Sequence, residues 1–341
     1  MKAVQITHSQ ELRVIDIPHP QAPGQGEVLL KLQYVGFCGS DLNTFMGRNG
    51  MALDPVIPGH ETGAVIEAVG AGVPEGLKPG LTVTCNPYTS CGNCAACRNG
   101  RPNACQHNQT LGVQRNGAMQ QFILLPWQKV LPAGNLSPRD CALVEPMSVG
   151  FHAVSRAQVT DNDVVMVIGC GMVGLGAVVR SALRGATVIA ADLDDEKLSL
   201  AREMGAAYTV NTRTENVHER LQEITGGLGP DVVIEAVGSV PTYRMAVDEV
   251  AFTGRVTCIG YSKDEVSFQT KFFVQKELDI RGSRNALPED FRAVVRYLER
   301  RTCPVDKLIT RIVKPEEALE AMRWWSLHPG KVFRILVDFT S

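Results

Sequence analysis

Residues 164–174 read VVMVIGCGMVG: five apolar residues run directly into three glycines spaced G-x-G-x-x-G. The apolar run predicts a buried strand, and residues 175–183 predict a helix that begins directly after the last glycine. A glycine turn between a buried strand and a helix is typical of a dinucleotide-binding unit, and this setting makes it a stronger indication than the glycines alone.

The glycines and the start of the helix have separate physical roles. Gly169 permits the tight turn, Gly171 lets the backbone approach a pyrophosphate, and Gly174 lets helix and strand pack closely. Met172 and Val173 belong to the amino-terminal end of the helix, which offers free N–H groups and a positive dipole. We therefore predict that these five residues bind the phosphates of a dinucleotide.

Asp192 ends a second apolar run and lies 18 residues after Gly174. A carboxylate at the end of the second strand can accept hydrogen bonds from the hydroxyls of an adenosine ribose, and it would repel a 2′-phosphate. Asp192 therefore favours NAD over NADP. The alternative interpretation is a purely structural glycine turn followed by a surface aspartate.

Six short apolar runs divide the second half of the chain. They are apolar on both faces and are separated by segments of helical length, which predicts parallel strands joined by crossover helices. The runs are residues 164–169, 186–192, 206–211, 231–238, 255–260 and 278–283. The pattern predicts a doubly wound parallel sheet of the Rossmann type.

The two ends of the chain have a different character. The first 150 residues are dense in Gly and Pro and contain short alternating runs, such as VLLKLQYV at residues 28–35, which predict a β-rich domain. After residue 282 the strand and helix alternation stops. Helical spacing then follows around Phe291 and Met322, and residues 331–339 predict a closing strand. No linker separates this segment as a module, so we expect it to pack on the first domain.

Length and composition limit the possible functions. At 341 residues the chain has room for about two domains, and 44% hydrophobic with 21% charged residues is ordinary globular composition. Lys and Arg number 34 against 36 Asp and Glu, so the charge favours neither nucleic acid nor an anionic membrane. No apolar stretch approaches the roughly 20 residues of a membrane helix, and no signal peptide is evident. We expect a cytoplasmic protein whose partner is a small molecule or another copy of itself.

Four of the ten cysteines, Cys91, Cys94, Cys97 and Cys105, lie within fifteen residues, and the other six are scattered. Four thiolates at these spacings can surround one tetrahedral ion, and coordination by sulfur alone is typical of structural zinc. This distribution favours metal binding in a reducing compartment over a disulfide framework. Similar zinc loops occur in nucleic-acid-binding modules, but the near-neutral charge and the lack of a basic stripe count against that class.

Three further segments contain potential metal ligands: CGSD at residues 38–41, GHE at 59–61 and EP at 145–146. Taken singly, each is better explained by core packing, capping or a solvated helix-start carboxylate than by metal binding. Together with the four-cysteine lobe and the glycine turn, their order resembles the zinc-dependent medium-chain dehydrogenase/reductase family. Glutamate within ALVEPMSVG, residues 142–150, resembles the polyol (sorbitol-type) and sugar-acid branch. The resemblance spans essentially the whole chain.

The resemblance implies a specific domain organisation. The fold would be α/β, with a GroES-like, β-rich catalytic domain at residues 1–148 and 286–341. A Rossmann NAD-binding domain at residues 149–285 would interrupt it. The family also implies two zinc ions, one catalytic and one structural, NAD as cofactor and a homo-oligomer, either a dimer or a tetramer.

The resemblance further implies a catalytic zinc site. Cys38 and His60 would be ligands, Glu61 a third ligand, and Glu145 would bind the metal directly or through a water molecule. Three protein ligands with one open position are typical of catalytic zinc. Zinc would make the hydroxyl of a bound alcohol more acidic, and a hydride would pass to the nicotinamide.

Two neighbours of Cys38 have supporting roles in the family. Ser40 would hydrogen-bond the substrate oxygen and carry away its proton, and Asp41 would orient His60. A substrate role is implied for Arg284 in GSRN, residues 282–285, because a guanidinium can bind hydroxyls or a carboxylate.

The segment from residue 282 onward resembles dehydrogenases of hexonic acids such as L-galactonate or L-gulonate. The predicted function is therefore hydride transfer from a secondary alcohol of a polyol or sugar acid to NAD+. The alternatives are an L-threonine-type or general alcohol dehydrogenase, and a non-catalytic NAD-sensing protein of the same fold.

Overall fold

The computed structural model describes residues 1–7 and 10–340, and the chain divides into two compact units. The first unit combines Met1–Glu145 with Leu287–Ser341, and the second is Pro146–Ala286. The unit limits differ by at most three residues from the boundaries predicted above.

Strands and helices alternate along the described residues. The strands are β1 (Lys2–Thr7), β2 (Glu11–Asp16), β3 (Glu27–Phe37), β4 (Glu61–Val69), β5 (Thr82–Cys85), β6 (Phe122–Pro126), β7 (Val130–Pro132), β8 (Val164–Ile168), β9 (Thr187–Asp192), β10 (Tyr208–Asn211), β11 (Val232–Glu235), β12 (Arg255–Cys258), β13 (Asp279–Gly282), β14 (Arg311–Val313) and β15 (Ile335–Asp338). The α-helices are α1 (Gly39–Phe45), α2 (Ala95–Arg98), α3 (Pro138–Cys141), α4 (Val144–Ala157), α5 (Met172–Leu183), α6 (Asp195–Glu203), α7 (Val217–Thr225), α8 (Val240–Glu249), α9 (Lys271–Gln275), α10 (Pro288–Glu299), α11 (Val305–Leu308) and α12 (Ala318–Leu327).

The second unit is built on one six-stranded parallel sheet in the order β10-β9-β8-β11-β12-β13. Each of the six predicted apolar runs contains one of these strands. The strand order reverses at β8, where the chain turns from one half of the sheet to the other, and this is the doubly wound Rossmann arrangement. The predicted fold class is confirmed for this unit.

Local sequence explains the helices of this unit. In α6 the side chain of Asp194 accepts hydrogen bonds from the backbone N–H groups of Glu196 and Lys197, which caps the helix. In α7 the side chain of Asn216 caps the start, and Gly226 ends the helix with φ +62°. These capping interactions determine where α6 and α7 begin and where α7 ends. Apolar residues of the helices and strands then close the core.

The first unit is β-rich, with a sheet in the order β14-β15-β3-β4-β5-β7, while β6 also pairs with β3. Strand β3 is the centre of the unit, since β4, β6 and β15 all pair with it in antiparallel fashion. The pairing of β15 with β3 brings the end of the chain back to the first domain. Register places Ile335 opposite Phe37 and Gly36 opposite Glu61.

None of the helices formed by residues 1–7 and 10–340 combines the length and apolar character needed to cross a membrane.

Candidate metal centres and dinucleotide site

The glycine turn after β8 has the geometry that its three glycines permit. Gly169 has φ +92°, in the left-handed region that favours glycine. A Cβ on Gly174 would lie 1.7 Å from the carbonyl oxygen of Gly169, so only glycine allows α5 to approach the strand this closely. Gly171 caps α5 in an ordinary extended conformation, and among the described residues beyond its two chain neighbours no atom lies within 4 Å of the position of a Cβ there. The backbone at Gly171 is therefore open to a ligand.

The first residues of α5 are Met172, which is buried, and Val173, which is half-buried. Backbone N–H groups in the first turn of a helix have no intrahelical acceptor. At the start of α5 these N–H groups can donate hydrogen bonds to a ligand, and they lie at the positive end of the helix dipole. Phosphate oxygens are the acceptors that suit such a turn.

Asp192 joins the end of β9 to the glycine turn. Its Oδ2 accepts a hydrogen bond from the backbone N–H of Cys170 at 2.7 Å, and its Oδ1 accepts from the N–H of Leu193 at 2.7 Å and of Asp194 at 3.1 Å. The sequence did not reveal this contact with Cys170. It fixes the carboxylate charge next to the turn, where that charge would oppose a second phosphate on the adenosine ribose.

The four-cysteine lobe brings its sulfur atoms together around α2. Cys94 Sγ lies 3.6 Å from Cys97 Sγ and 3.8 Å from Cys105 Sγ, and the sulfurs of Cys105 and Cys91 are 3.5 Å apart. A tetrahedral zinc with Zn–S bonds of about 2.3 Å requires sulfur atoms about 3.8 Å apart. The lobe therefore fits a closed, structural zinc site.

Backbone N–H groups favour thiolates in this lobe. The N–H of Cys91 and of His107 each donate to Cys105 Sγ at 3.3 Å, and the N–H of Cys94 donates to Cys91 Sγ at 3.4 Å. Backbone hydrogen bonds from Cys97 and Gln106 lower the pKa of Cys94 to about 6. Zinc binds the deprotonated form of cysteine, so these donors prepare the site for the ion.

A second group of ligand atoms lies where β3 ends and β4 begins. Cys38 follows β3 and caps α1, while His60 immediately precedes β4 and Glu61 is its first residue. Because β3 and β4 are antiparallel, the end of one meets the start of the other. One atom from each of Cys38, His60 and Glu61 lies within 4.8 Å of the other two, which is compatible with one shared ion.

Burial and neighbouring charge shift the titration of this group. Burial opposes protonation of His60, but the adjacent Cys38 raises the pKa of the imidazole well above its ordinary value. Burial raises the pKa of Glu61 to about 7, although Arg334 acts in the opposite direction. A divalent cation is the natural partner for such buried donors, because it binds their deprotonated forms and compensates their charge.

Arg334 is a part of this site that the sequence analysis missed. Its Nε lies 3.0 Å from Glu61 Oε2, in an ion pair without the alignment of a hydrogen bond, and its Nη1 donates to the carbonyl of Phe37 at 2.8 Å. A Cβ on Gly36 would lie 2.3 Å from Glu61 Oε2, so glycine makes room for the carboxylate. The available signal was an arginine within the apolar run of the closing strand.

Two residues that follow Cys38, Ser40 and Asp41, carry polar side chains whose oxygen atoms are buried. Asp41 is fully buried, and its Oδ2 accepts a hydrogen bond from the backbone N–H of Cys38 at 2.8 Å. Its Oδ1, the Nδ1 of His60 and the hydroxyl of Ser40 have no hydrogen-bond partner among residues 1–7 and 10–340. Asp41 thus holds the main chain of Cys38, and it acts on His60 through its charge rather than through a hydrogen bond to Nδ1. The Ser40 hydroxyl is available for a ligand.

Glu145 is close to this group without belonging to it. It lies in the first turn of α4, is 4% exposed and accepts a hydrogen bond from the hydroxyl of Tyr88. Its charge acts on both His60 and Glu61, yet within the described residues the ligand group consists of Cys38, His60 and Glu61. Tyr88 was not among the predicted site residues. A lone tyrosine before the four-cysteine lobe gave no indication of this contact.

Arg284 belongs to the second unit, where it follows β13 and is exposed. The next residue, Asn285, has φ +55°, which turns the chain toward Ala286 at the end of the unit. Its substrate role stays a prediction.

Two protein families match this chain. The alcohol dehydrogenase GroES-like domain matches residues 24–135, and the zinc-binding dehydrogenase family matches residues 173–300. Sorbitol dehydrogenase from Halalkalibacterium halodurans is 33% identical over 326 residues, which cover 94% of this chain and 93% of the relative. L-galactonate-5-dehydrogenase from Escherichia coli K12 is 32% identical over 288 residues, which cover 84% of each protein.

A solved structure shows the same fold. The crystal structure of an alcohol dehydrogenase from Escherichia coli CFT073 complexed with NADH has a TM-score of 0.90 and 29% identity, and the match covers 99% of both chains. The two matching domains correspond to the β-rich unit and the Rossmann unit, and the two cysteine-containing clusters fit the zinc that such enzymes bind. These similarities establish that the chain belongs to the zinc-dependent medium-chain dehydrogenase family, in its polyol and sugar-acid branch, and is an oxidoreductase that uses zinc and a nicotinamide dinucleotide.

Proposed function

We propose that this enzyme transfers a hydride from a secondary alcohol of a sugar acid to NAD+, with L-galactonate or L-gulonate as the substrate. The observation that carries this proposal is the grouping of Cys38, His60 and Glu61 within 4.8 Å. A thiolate, an imidazole and a carboxylate occupy three positions of a tetrahedral zinc and leave the fourth for a substrate oxygen.

When bound, zinc supplies Lewis acidity that makes an alcohol hydroxyl more acidic, and the nicotinamide supplies the hydride acceptor. The chain supplies position and charge. We assign the Ser40 hydroxyl, which is buried and has no hydrogen-bond partner in the described part of the chain, to a hydrogen bond with the substrate hydroxyl. Burial raises the pKa of Glu61, and Arg334 opposes this shift, which favours the ionised carboxylate that would hold the metal.

Asp192 supports NAD as the cofactor rather than NADP. Its carboxylate is fixed beside the glycine turn by the N–H of Cys170. A 2′-phosphate on the ribose would bring a second negative charge to this carboxylate. The hydroxyls of the NAD ribose are hydrogen-bond donors and suit the same group.

Arg284 supports a sugar acid over a neutral polyol, because a guanidinium binds a carboxylate through two parallel hydrogen bonds. The 32% identity with L-galactonate-5-dehydrogenase is compatible with this class, and the 33% identity with sorbitol dehydrogenase leaves the choice to Arg284. In Arg284→Ala, we expect kcat/KM for hexonates to fall about 10-fold or more, with neutral hexitols unaffected as the internal control. An equal response of hexonates and hexitols would remove the substrate role of this residue.

The decisive test is an NAD+ reduction assay with L-galactonate, L-gulonate, neutral polyols, L-threonine and simple alcohols, with zinc content measured on the same sample. The proposal requires NADH from a hexonate and two zinc ions per chain. If the enzyme oxidises L-threonine or simple alcohols in preference to the hexonates, the proposed substrate is wrong. If the protein binds two zinc ions but none of the alcohols reduces NAD+, the NAD-sensing alternative is favoured.

We also propose that the protein is a homo-oligomer, a dimer or a tetramer, which pairs through β13. This strand is an edge of the six-stranded sheet, and Ile280 on it is 47% exposed. An edge strand presents backbone N–H and C=O groups, and β13 (DIRG) adds one exposed apolar side chain, Ile280, which favours pairing with a second copy. Ile280→Lys should lower the mass measured by light scattering, whereas Leu228→Lys, at a loop residue 78% exposed, should not. An unchanged mass in Ile280→Lys would contradict this interface.

We further propose that the protein acts in the cytoplasm. Both candidate metal sites contain cysteine thiols, and no disulfide bond joins any of the ten cysteines within residues 1–7 and 10–340. Thiolate ligands persist in a reducing compartment and are at risk of disulfide formation elsewhere.

A further inference from the structure

The mechanism above gives no role to the hydrogen bond that the Tyr88 hydroxyl donates to Glu145 Oε1. Both side chains are buried, with 4% of each residue exposed. Glu145 lies in the first turn of α4, whereas Tyr88 lies between β5 and the four-cysteine lobe. Two separate segments of the first unit therefore meet at this contact.

The position of Tyr88 is fixed independently of Glu145. Its backbone N–H donates to the side chain of Asn86 at 3.0 Å, and its carbonyl accepts a hydrogen bond from Nζ of Lys129 at 2.6 Å. The ring meets the ring of Phe291 edge-on, with centroids 6.3 Å apart. Since the backbone and the ring are both held, the hydroxyl provides a fixed point for the carboxylate.

The orientation of Glu145 matters because of what lies beside it. Its charge acts on His60 and Glu61, but it stays outside the group that those residues form with Cys38. A carboxylate that turns toward zinc binds it directly at about 2.0–2.2 Å, and a fourth protein ligand would close the site. Whether a substrate can reach the metal therefore depends on where this carboxylate is held.

We propose that Tyr88 is a positioning residue that holds the Glu145 carboxylate beside the catalytic zinc and prevents it from becoming a fourth direct ligand. This inference rests on the proposed function, because it requires zinc on Cys38, His60 and Glu61. Without the hydroxyl, the carboxylate loses the contact that holds it away from the metal and can turn to the position that the substrate needs.

Tyr88→Phe tests this role, because it removes the hydroxyl and keeps the ring against Phe291. We expect zinc release to a chelator to slow by about 10-fold and kcat to fall by a similar factor, which is the usual range for groups that orient metal ligands. In the cobalt-substituted protein, the visible absorption of the catalytic site should change as a carboxylate replaces solvent. Subtracting the spectrum of a matching His60→Ala variant removes the contribution of the four-cysteine lobe.

Two controls distinguish a specific effect of Tyr88 on Glu145 from the general effect of removing a buried tyrosine hydroxyl. Tyr297→Phe removes the hydroxyl of another buried tyrosine of the same unit, which bonds to Cys303, and should leave zinc release and cobalt absorption unchanged. In a Glu145→Gln background, Tyr88→Phe should have no further effect on either measurement. An amide binds zinc far more weakly than a carboxylate does. The side chain that Glu145→Gln introduces therefore does not become a zinc ligand, whether or not the Tyr88 hydroxyl is present.

The possible outcomes are distinct. If the folded Tyr88→Phe protein releases zinc at the wild-type rate and has the wild-type cobalt absorption, the positioning role is wrong. The role is also wrong if Tyr88→Phe changes zinc release and cobalt absorption to the same extent in the Glu145→Gln background. A wild-type protein that binds no metal at Cys38, or that reduces NAD+ with none of the alcohols, would instead overturn the proposed function.

Discussion

Arg334 Nε lies 3.0 Å from Glu61 Oε2, and both side chains are almost completely buried, with 5% and 0% exposed. The arginine comes from the residue before β15 and the glutamate from the start of β4, and both strands pair with β3. Breaking a buried ion pair leaves an uncompensated charge, which is costly, whereas exposed pairs contribute little.

In the zinc-free protein we expect Arg334→Met to lower the free energy of unfolding by about 2 kcal/mol, because Glu61 loses its buried partner and must stay charged without it or take up a proton. Chemical denaturation measures this loss. Arg13→Met is the matched control, since its pair with Glu11 is more than half exposed, and it should cost less than about 1 kcal/mol. Equal losses in the two variants would contradict a stabilising role for the Glu61 pair.

The glycine turn predicts opposite outcomes for two substitutions. Gly171→Ala should fold normally, because no described residue other than its chain neighbours lies within 4 Å of the new methyl group, but it should raise KM for NAD+ about 10-fold by blocking the pyrophosphate. Gly174→Ala should destabilise the protein by about 2 kcal/mol, because its methyl group meets the carbonyl of Gly169. Thermal unfolding and cofactor kinetics distinguish them. An unchanged KM in Gly171→Ala would argue against cofactor binding at this turn.

Substitutions at the two zinc sites should have different effects on stability and on activity. We expect Cys94→Ser and Cys38→Ser each to reduce zinc from two ions to one per chain, measured by atomic absorption. Only Cys94→Ser should lower the free energy of unfolding strongly, by about 3 kcal/mol or more, because a closed site contributes to folding. Only Cys38→Ser should abolish NAD+ reduction while the protein stays folded. Similar stability losses in both would mean that both sites are structural.

Asp192→Asn should change cofactor preference, because it removes the charge and retains one acceptor oxygen for the N–H of Cys170. The ratio of kcat/KM for NADP+ to that for NAD+ should rise about 10-fold, equivalent to about 1.4 kcal/mol of relieved repulsion. Steady-state kinetics with both cofactors provide the measurement. A ratio that does not move would show that the carboxylate faces away from the ribose.

Much of this protein was predictable because the relevant residues are close in sequence. The six strands of the parallel sheet are continuous apolar runs, and the glycine turn lies between one strand and its helix, so spacing alone was informative. The four cysteines of the zinc lobe likewise lie within fifteen residues, where a short loop can bring their sulfurs together. For these features local sequence restricts the geometry before the chain folds.

Only the tertiary structure revealed the partners of the buried carboxylates. The chain itself determined which residues could bind zinc, but not that Arg334 lies against Glu61 or that Tyr88 holds Glu145. Both contacts join segments far apart in the chain, and both depend on how strands and loops pack around β3. A side chain buried among apolar neighbours must find a polar partner, and the identity of that partner is decided by register and packing rather than by sequence spacing.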